Sequence, residues 1–278
     1  MELKDNRAED HNAERAFGTF LDESFYPDFT SWMGYSAFRR ENSRREQLGG
    51  CDVMLFDDEP GGQTPLRLDE KASITYCNGR RLDTFLMELS CMRSDGTTVD
   101  GWFLNPDAAT DKYVLATDVR ADFADYADIT ADSFLTATLM VLDRRKVADY
   151  LASRGLDKDA LRLVAKQLRN GERGTAWQNP RNGSLEWDFS FDLNRRLSTQ
   201  PVCVKLSNPL LYRLCDARYL VRNIRAKKVS RSSRSTRPPC VKLSKIPPNP
   251  EDVMHALSRY ASKINERLCV LDIQAEMK

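Results

Sequence analysis

The 278 residues, 41% hydrophobic and 30% charged, have the make-up of a soluble globular chain with room for one large domain or two small ones. No run of about eighteen uncharged apolar residues is present, and mixed charges occupy the N-terminus where a secretory leader needs an apolar stretch, so a cytoplasmic protein without membrane contact is expected. The seven cysteines are scattered with no CxxC pair, and the two histidines, His11 and His255, lie near opposite ends, which argues against a zinc knuckle or a histidine-based triad.

In chain order, Ala16, Phe17, Phe20 and Leu21 recur at helical spacing and predict a helix over Asn12 to Phe25. Short apolar-rich runs follow at Cys51 to Phe56, Leu66 to Tyr76 and Thr84 to Cys91, separated by turn signals at Pro60-Gly61-Gly62 and Asn78-Gly79. Gly101 to Leu104 and Tyr113 to Val119 are expected to continue the same sheet, with a hairpin turn at Ser94-Asp95-Gly96. Phe134 to Leu142 is a further expected strand. Asp143 then caps a helix that reaches Ser153 and stops at Gly155, and Asp157 caps a second that ends near Gly171.

Beyond Gly171, Leu185 to Phe191 and Val202 to Leu206 alternate as strands do. Asn249-Pro250-Glu251-Asp252 supplies a cap, a first-turn proline and two acids for a helix from Pro250 to Leu268. The pentad Cys203 to Ser207 returns at Cys240 to Ser244, as two similar strands, a duplicated segment or coincidence. The expected architecture is an α/β core over residues 1–155, a central mixed β-sheet flanked by helices, followed by a smaller basic α+β region over 156–278.

The formal net charge of +1 hides an asymmetry. Residues 1–150 hold 17 Lys and Arg against 29 Asp and Glu, and the remainder holds 25 against 12. A basic second half suits a polyanion, and its densest stretch includes Arg225, Lys227, Lys228, Arg231 and Arg234 in a Ser-, Arg- and Pro-rich setting. That stretch is either a solvated linker or an arm that follows a phosphate backbone.

The chemistry centres on three residues. Asp52 opens the apolar run Val53 to Phe56, and the next strand carries Asp69-Glu70-Lys71. Strand side chains alternate, so Asp69 and Lys71 share a face while Glu70 points away. In an antiparallel hairpin centred on Pro60-Gly61, Asp52 falls opposite Asp69. Two carboxylates facing each other across a ladder repel. A Mg²⁺ or Mn²⁺ ion removes that penalty, and a neighbouring ammonium orients or helps deprotonate an attacking water, as phosphodiester hydrolysis requires.

An acid at one strand, (D/E)xK on the next and an acid-bearing N-terminal helix before them resemble the PD-(D/E)XK nuclease superfamily. The likeness covers roughly Glu14 to Tyr113, and more narrowly Gln-x-x-Gly-x-Asp at Gln47 to Asp52, Asp-Glu-Lys-Ala at Asp69 to Ala72, Thr-Phe-x-x-Glu-Leu-Ser at Thr84 to Ser90, and Gly101-Trp102. Bacterial and phage proteins with this core look similar. The resemblance implies a restriction-endonuclease-like fold, Asp52 and Asp69 as metal ligands, Lys71 as the water-activating residue, and Glu14 or Glu23 as the helix acid. Gln47 and Glu88 are placed by it to complete the site or to hydrogen-bond substrate. DNA is the expected partner, with RNA also open.

Outside that core, Trp102, Phe103 and Tyr113 are expected to be sheet filling, since no basic residues interleave them. Arg39, Arg40, Arg44 and Arg45 are phosphate candidates, or the polar face of a helix paired with Glu41 and Glu46. The alternative to a nuclease is a non-catalytic binding or adaptor protein that keeps the fold.

Overall fold

The computed structural model describes residues 7–41, 43, 49–59, 61–74, 77, 82–171, 188–223 and 240–243. The chain opens with α1 (Arg7–Ser24), which starts five residues before the expected Asn12. Ala13, Phe17, Phe20 and Leu21 form its buried stripe, at the spacing a helix needs to turn one face inward. α2 (Tyr26–Trp32) follows at once, with Pro27 in the first turn, where a missing N–H costs nothing, and Tyr26 and Phe29 buried.

Strands then alternate between two sheets. In chain order they are β1 (Ala37–Arg40), β2 (Val53–Phe56), β3 (Leu66–Ala72), β4 (Thr84–Met92), β5 (Thr98–Asp100), β6 (Lys112–Ala121) and β7 (Phe134–Asp143). Two helices follow, α3 (Arg144–Ser153) and α4 (Lys158–Arg169), then β8 (Phe189–Leu193), β9 (Val202–Ser207), α5 (Asn208–Leu214), β10 (Ala217–Arg222) and β11 (Cys240–Leu243). The larger sheet runs β1-β2-β3-β6-β7-β10-β11, and the smaller β5-β4-β9-β8. Only β3 and β6 pair in parallel among the described strands of the larger sheet, which makes it mixed.

Strand alternation divides the interior into two cores. Leu68, Val114, Ala116, Leu139 and Val141 face α1 and α2. Tyr113, Leu115, Met140 and Leu142 face the other way, toward the smaller sheet and α3, α4 and α5. Each fully buried Phe or Leu adds roughly 1.5–3 kcal/mol of transfer free energy. The architecture is therefore α/β, a mixed central sheet with helices on its flanks.

Several expectations change in this frame. Thr84 to Cys91 does not continue the first sheet: β4 leaves it to pair with β5 and β9. Gly101 to Leu104 is a turn, not a strand, and β5 ends at Asp100 because the backbone folds back there, with Phe103 N–H donating to Glu88 O. Asp143 and Asp157 do cap the two helices, through Arg145 N–H and through Asp159 and Ala160 N–H. The repeated pentad becomes two strands, β9 and β11, in different sheets. The division expected near residue 155 falls inside one compact unit, Met1–Leu243, because β9 and β10 from beyond it are woven into the two sheets. The helix expected over Pro250 to Leu268 lies outside the described residues. No described helix is long and apolar enough to cross a membrane.

Candidate active site

β2 and β3 pair antiparallel as Val53↔Leu68, Met54↔Arg67 and Leu55↔Leu66, the register expected from the hairpin. One step further, Asp52 N–H donates to Leu68 O and the Asp52 carboxylate accepts from Glu70 N–H, both at 2.8 Å. The two acids thus arrive side by side. Asp69 is buried, at 2% exposure, and Lys71 Nζ donates to its carboxylate.

The alternation along β3 separates two environments. Glu70 faces α1 and α2, where Tyr26 Oη donates to it at 2.5 Å and Arg40 grips it through Nη1 and Nη2 at 2.8 and 2.9 Å. Arg40 also holds Asp22 at 2.7 and 2.8 Å and Gly18 O at 3.0 Å. Asp69 and Lys71 face the other core. Asp69 stands beside Tyr113 across the parallel ladder, and Lys71 Nζ lies 5.3 Å from the centre of the Trp102 ring.

The loop before β2 is shaped for this approach. Gly50 has a φ of +72°, and a Cβ there would come within 2.5 Å of Thr110 Oγ1 and 3.7 Å of an Asp69 carboxylate oxygen. Thr110 Oγ1 donates to Gly50 O at 2.6 Å, and Ala109 N–H to Gly49 O at 2.7 Å. Any larger residue at 50 collides with the wall that supports Asp69. Gly101 has a similar reason to lack a side chain, since a Cβ would stand 2.5 Å from Glu88 O.

Electrostatics mark the same group. Burial, countered by Lys71 and reinforced by Asp69, pushes the Asp52 carboxyl up to about 6. Burial opposes the Lys71 charge, yet Asp69 and Asp52 outweigh it and hold the ammonium protonated beyond its ordinary range. Burial raises the Tyr113 pKa, and its hydroxyl lies near Arg144 without a well-formed hydrogen bond.

Glu14 on α1 lies in the field of Lys71 and Asp52. The surrounding protein pushes its carboxyl upward, but the side chain is 69% exposed, so solvent weakens that push and the position matters more. Glu23, nine residues on, sits about half a turn round the helix from Glu14, so the two cannot serve one point. Glu88 belongs to the smaller sheet. Burial raises its carboxyl, while Cys91, Lys71 and Arg169 pull it back, and among the described residues it makes no hydrogen bond to Asp52, Asp69 or Lys71.

The phosphate candidates divide differently. Arg39 and Arg40 sit on strand β1, not on a helix. Arg40 is taken up by Asp22 and Glu70, and Arg39 pairs with Glu41 at 2.7 Å. Phe103 and Tyr113 are core, and Trp102 is half-buried against Lys71. Gln47, Arg44, Arg45, Arg225, Lys227, Lys228, Arg231 and Arg234 lie outside the described residues. Thr110 carried no signal in the sequence, because its partner Gly50 is sixty residues away.

Among the described residues no group of three or more His, Cys, Asp or Glu side chains is arranged to hold a metal ion. Two adjacent carboxylates, Asp52 and Asp69, are nevertheless a hard-oxygen pair of the kind Mg²⁺ accepts while keeping most of its waters. Compared with protein-family models, curated proteins and solved structures, the chain matches none.

Proposed function

We propose that this chain is a divalent-metal-dependent nuclease of PD-(D/E)XK type that hydrolyses DNA phosphodiester bonds. The observation that carries this reading is the meeting of Asp52, Asp69 and Lys71 on one face of the β2–β3 hairpin. Asp52 is pushed toward neutrality, first by burial and further by Asp69 against the pull of Lys71, and a stability cost of this kind is characteristic of a working site.

Asp52 and Asp69 would hold Mg²⁺ or Mn²⁺. When bound, such an ion supplies a sink for the charge that develops on the phosphoryl oxygens. Lys71, fixed as a cation between Asp69 and the Trp102 ring, would orient the attacking water and neutralise charge beside it. Glu14, exposed on α1 beside His11, would be the acid that takes up a proton or a water at the rim. Glu88 acts at longer range, through the field it shares with Lys71.

A second reading, a binding or adaptor protein retaining the fold, draws on the lack of a third metal donor among the described residues. Cleavage assays on linear, circular and single-stranded DNA and on RNA, with Mn²⁺ and with EDTA, separate the two. Cation-dependent cleavage lost in Asp69→Asn supports the nuclease. Equal, EDTA-insensitive behaviour of both proteins supports the adaptor.

A further inference from the structure

At one end of the smaller sheet, three elements deliver four arginines to the same region. Arg169, at the C-terminal end of α4, donates to Ser90 O and Oγ on β4 at 3.1–3.2 Å. Arg195, in the loop between β8 and β9, reaches Leu168 O and Arg169 O at 3.4 Å. Arg196 follows it, its N–H held by Asn194 Oδ1 at 3.0 Å. Arg93 follows β4, next to Met92, whose N–H donates to Thr199 O of the same β8–β9 loop at 2.7 Å.

Arg93, Arg195 and Arg196 are exposed. Among the described residues, none of the four arginines is within ion-pair distance of a carboxylate. Of the nearby acids, Asp95 accepts from Thr97 and lies in the field of Arg93 without a direct contact, and Asp100 holds Arg162. Burial lowers the Arg169 pKa, Cys91 and Glu88 work against that, and the neighbouring Arg195 adds a small repulsion. Capping the end of α4 explains one N–H of Arg195 but not four guanidinium groups gathered with no carboxylate in ion-pair contact among the described residues. Guanidinium groups crowded in this way, with their forks not taken up by carboxylates, can receive a further anion, and their planar forks match phosphate oxygens. Ser90, which holds Arg169, lies two residues along β4 from Glu88, whose carbonyl receives the Phe103 N–H of the turn that sets Trp102 against Lys71, and this connects the surface to the hairpin site.

We infer that Arg93, Arg169, Arg195 and Arg196 form a ledge on which a DNA phosphate backbone docks on its way to Asp52, Asp69 and Lys71. This rests on the nuclease reading for the identity of the polyanion. None of its four residues belongs to the basic stretch beyond Asn223.

The test is fluorescence anisotropy of a labelled DNA duplex, titrated with the full-length protein in EDTA across a range of salt. Replacing the exposed Arg93, Arg195 and Arg196 together by Ala should weaken binding about tenfold or more at low salt and reduce the slope of log K against log salt by roughly two to three. The same three changed to Lys should keep most of the slope, because the point charges remain. Arg145, Arg154 and Lys158, exposed basic residues elsewhere, give a control of equal charge change when replaced by Ala, and it should retain the wild-type slope. Equal losses in the control and the ledge variant, an unchanged slope in the ledge variant, or no binding by the wild type would each overturn the ledge. Because association is read with the chemistry switched off, a protein that binds through the ledge but cleaves nothing counts against the nuclease reading alone.

Discussion

The Asp52 carboxylate accepts a hydrogen bond from the Glu70 N–H at 2.8 Å, so the acid that opens β2 is fastened to the strand bearing Asp69 and Lys71. This bond holds two like charges together, and the metal-free protein bears the cost. The Asp52 carboxyl is raised to about 6, first by burial. A carboxyl raised on folding favours the folded state at acid pH, and that contribution is lost as pH rises from the unfolded value through about 6. Asp52→Asn keeps an acceptor for Glu70 and removes the charge. Without metal it should be more stable than wild type by about 1–2 kcal/mol near pH 7, a figure discounted for partial exposure, and show no gain near pH 4. Thermal unfolding at the two pH values checks this, and lower stability near neutrality would refute it.

Gly50 and Gly61 both have positive φ, at +72° and +87°, but only Gly50 has a neighbour where a Cβ would stand. Alanine at either position costs about 1 kcal/mol of backbone strain. Gly50→Ala must in addition displace Thr110, and should lose roughly 2–3 kcal/mol in all, with cleavage reduced because Asp69 lies behind the collision. Denaturant unfolding of the two variants measures the difference, and equal losses would remove Gly50 from the support of the site.

Arg40 joins α1 to β3 through Asp22 and Glu70, all three largely shielded from solvent. Removing it strands two carboxylates. Arg40→Ala should cost about 3 kcal/mol, and Arg40→Lys most of that, since an ammonium cannot reproduce the paired contacts. A lysine variant as stable as wild type would show that charge alone suffices.

Asp216 receives Lys112 at 2.6 Å and Lys146 at 2.5 Å. Burial works against its charge, but those two bonds prevail and hold its carboxyl below the ordinary aspartate value. A depressed carboxyl stabilises the fold above its unfolded pKa and loses that contribution as pH falls toward the lower folded value. Asp216→Asn should lose up to about 1 kcal/mol at neutral pH and flatten the acid limb of the stability curve. An unchanged acid limb would show that the cluster is screened by solvent.

The hairpin register was legible in the sequence because the turn at Pro60-Gly61 and the alternation of apolar residues both constrain it. Asp143 and Asp157 were legible for a similar reason, as each satisfies helix N–H groups two or three residues away. The departure of β4 into a second sheet was not, because its partner β9 lies more than a hundred residues on, and an alternating strand does not state which neighbour it pairs with. α2 was hidden by length: seven residues give too few turns to show a period. In sequence Arg40 was either a phosphate candidate or a helix-face partner of Glu41 and Glu46, and only the fold brings Asp22 and Glu70 to it.

If Asp52 and Asp69 together hold one divalent cation, as proposed, calorimetric titration of Mn²⁺ into the wild type and Asp69→Asn will show it. We predict one site per chain in the wild type and at least a roughly tenfold loss of affinity, about 1.4 kcal/mol, in a folded Asp69→Asn protein. Equal affinity in the two proteins, or no binding to either, would contradict it.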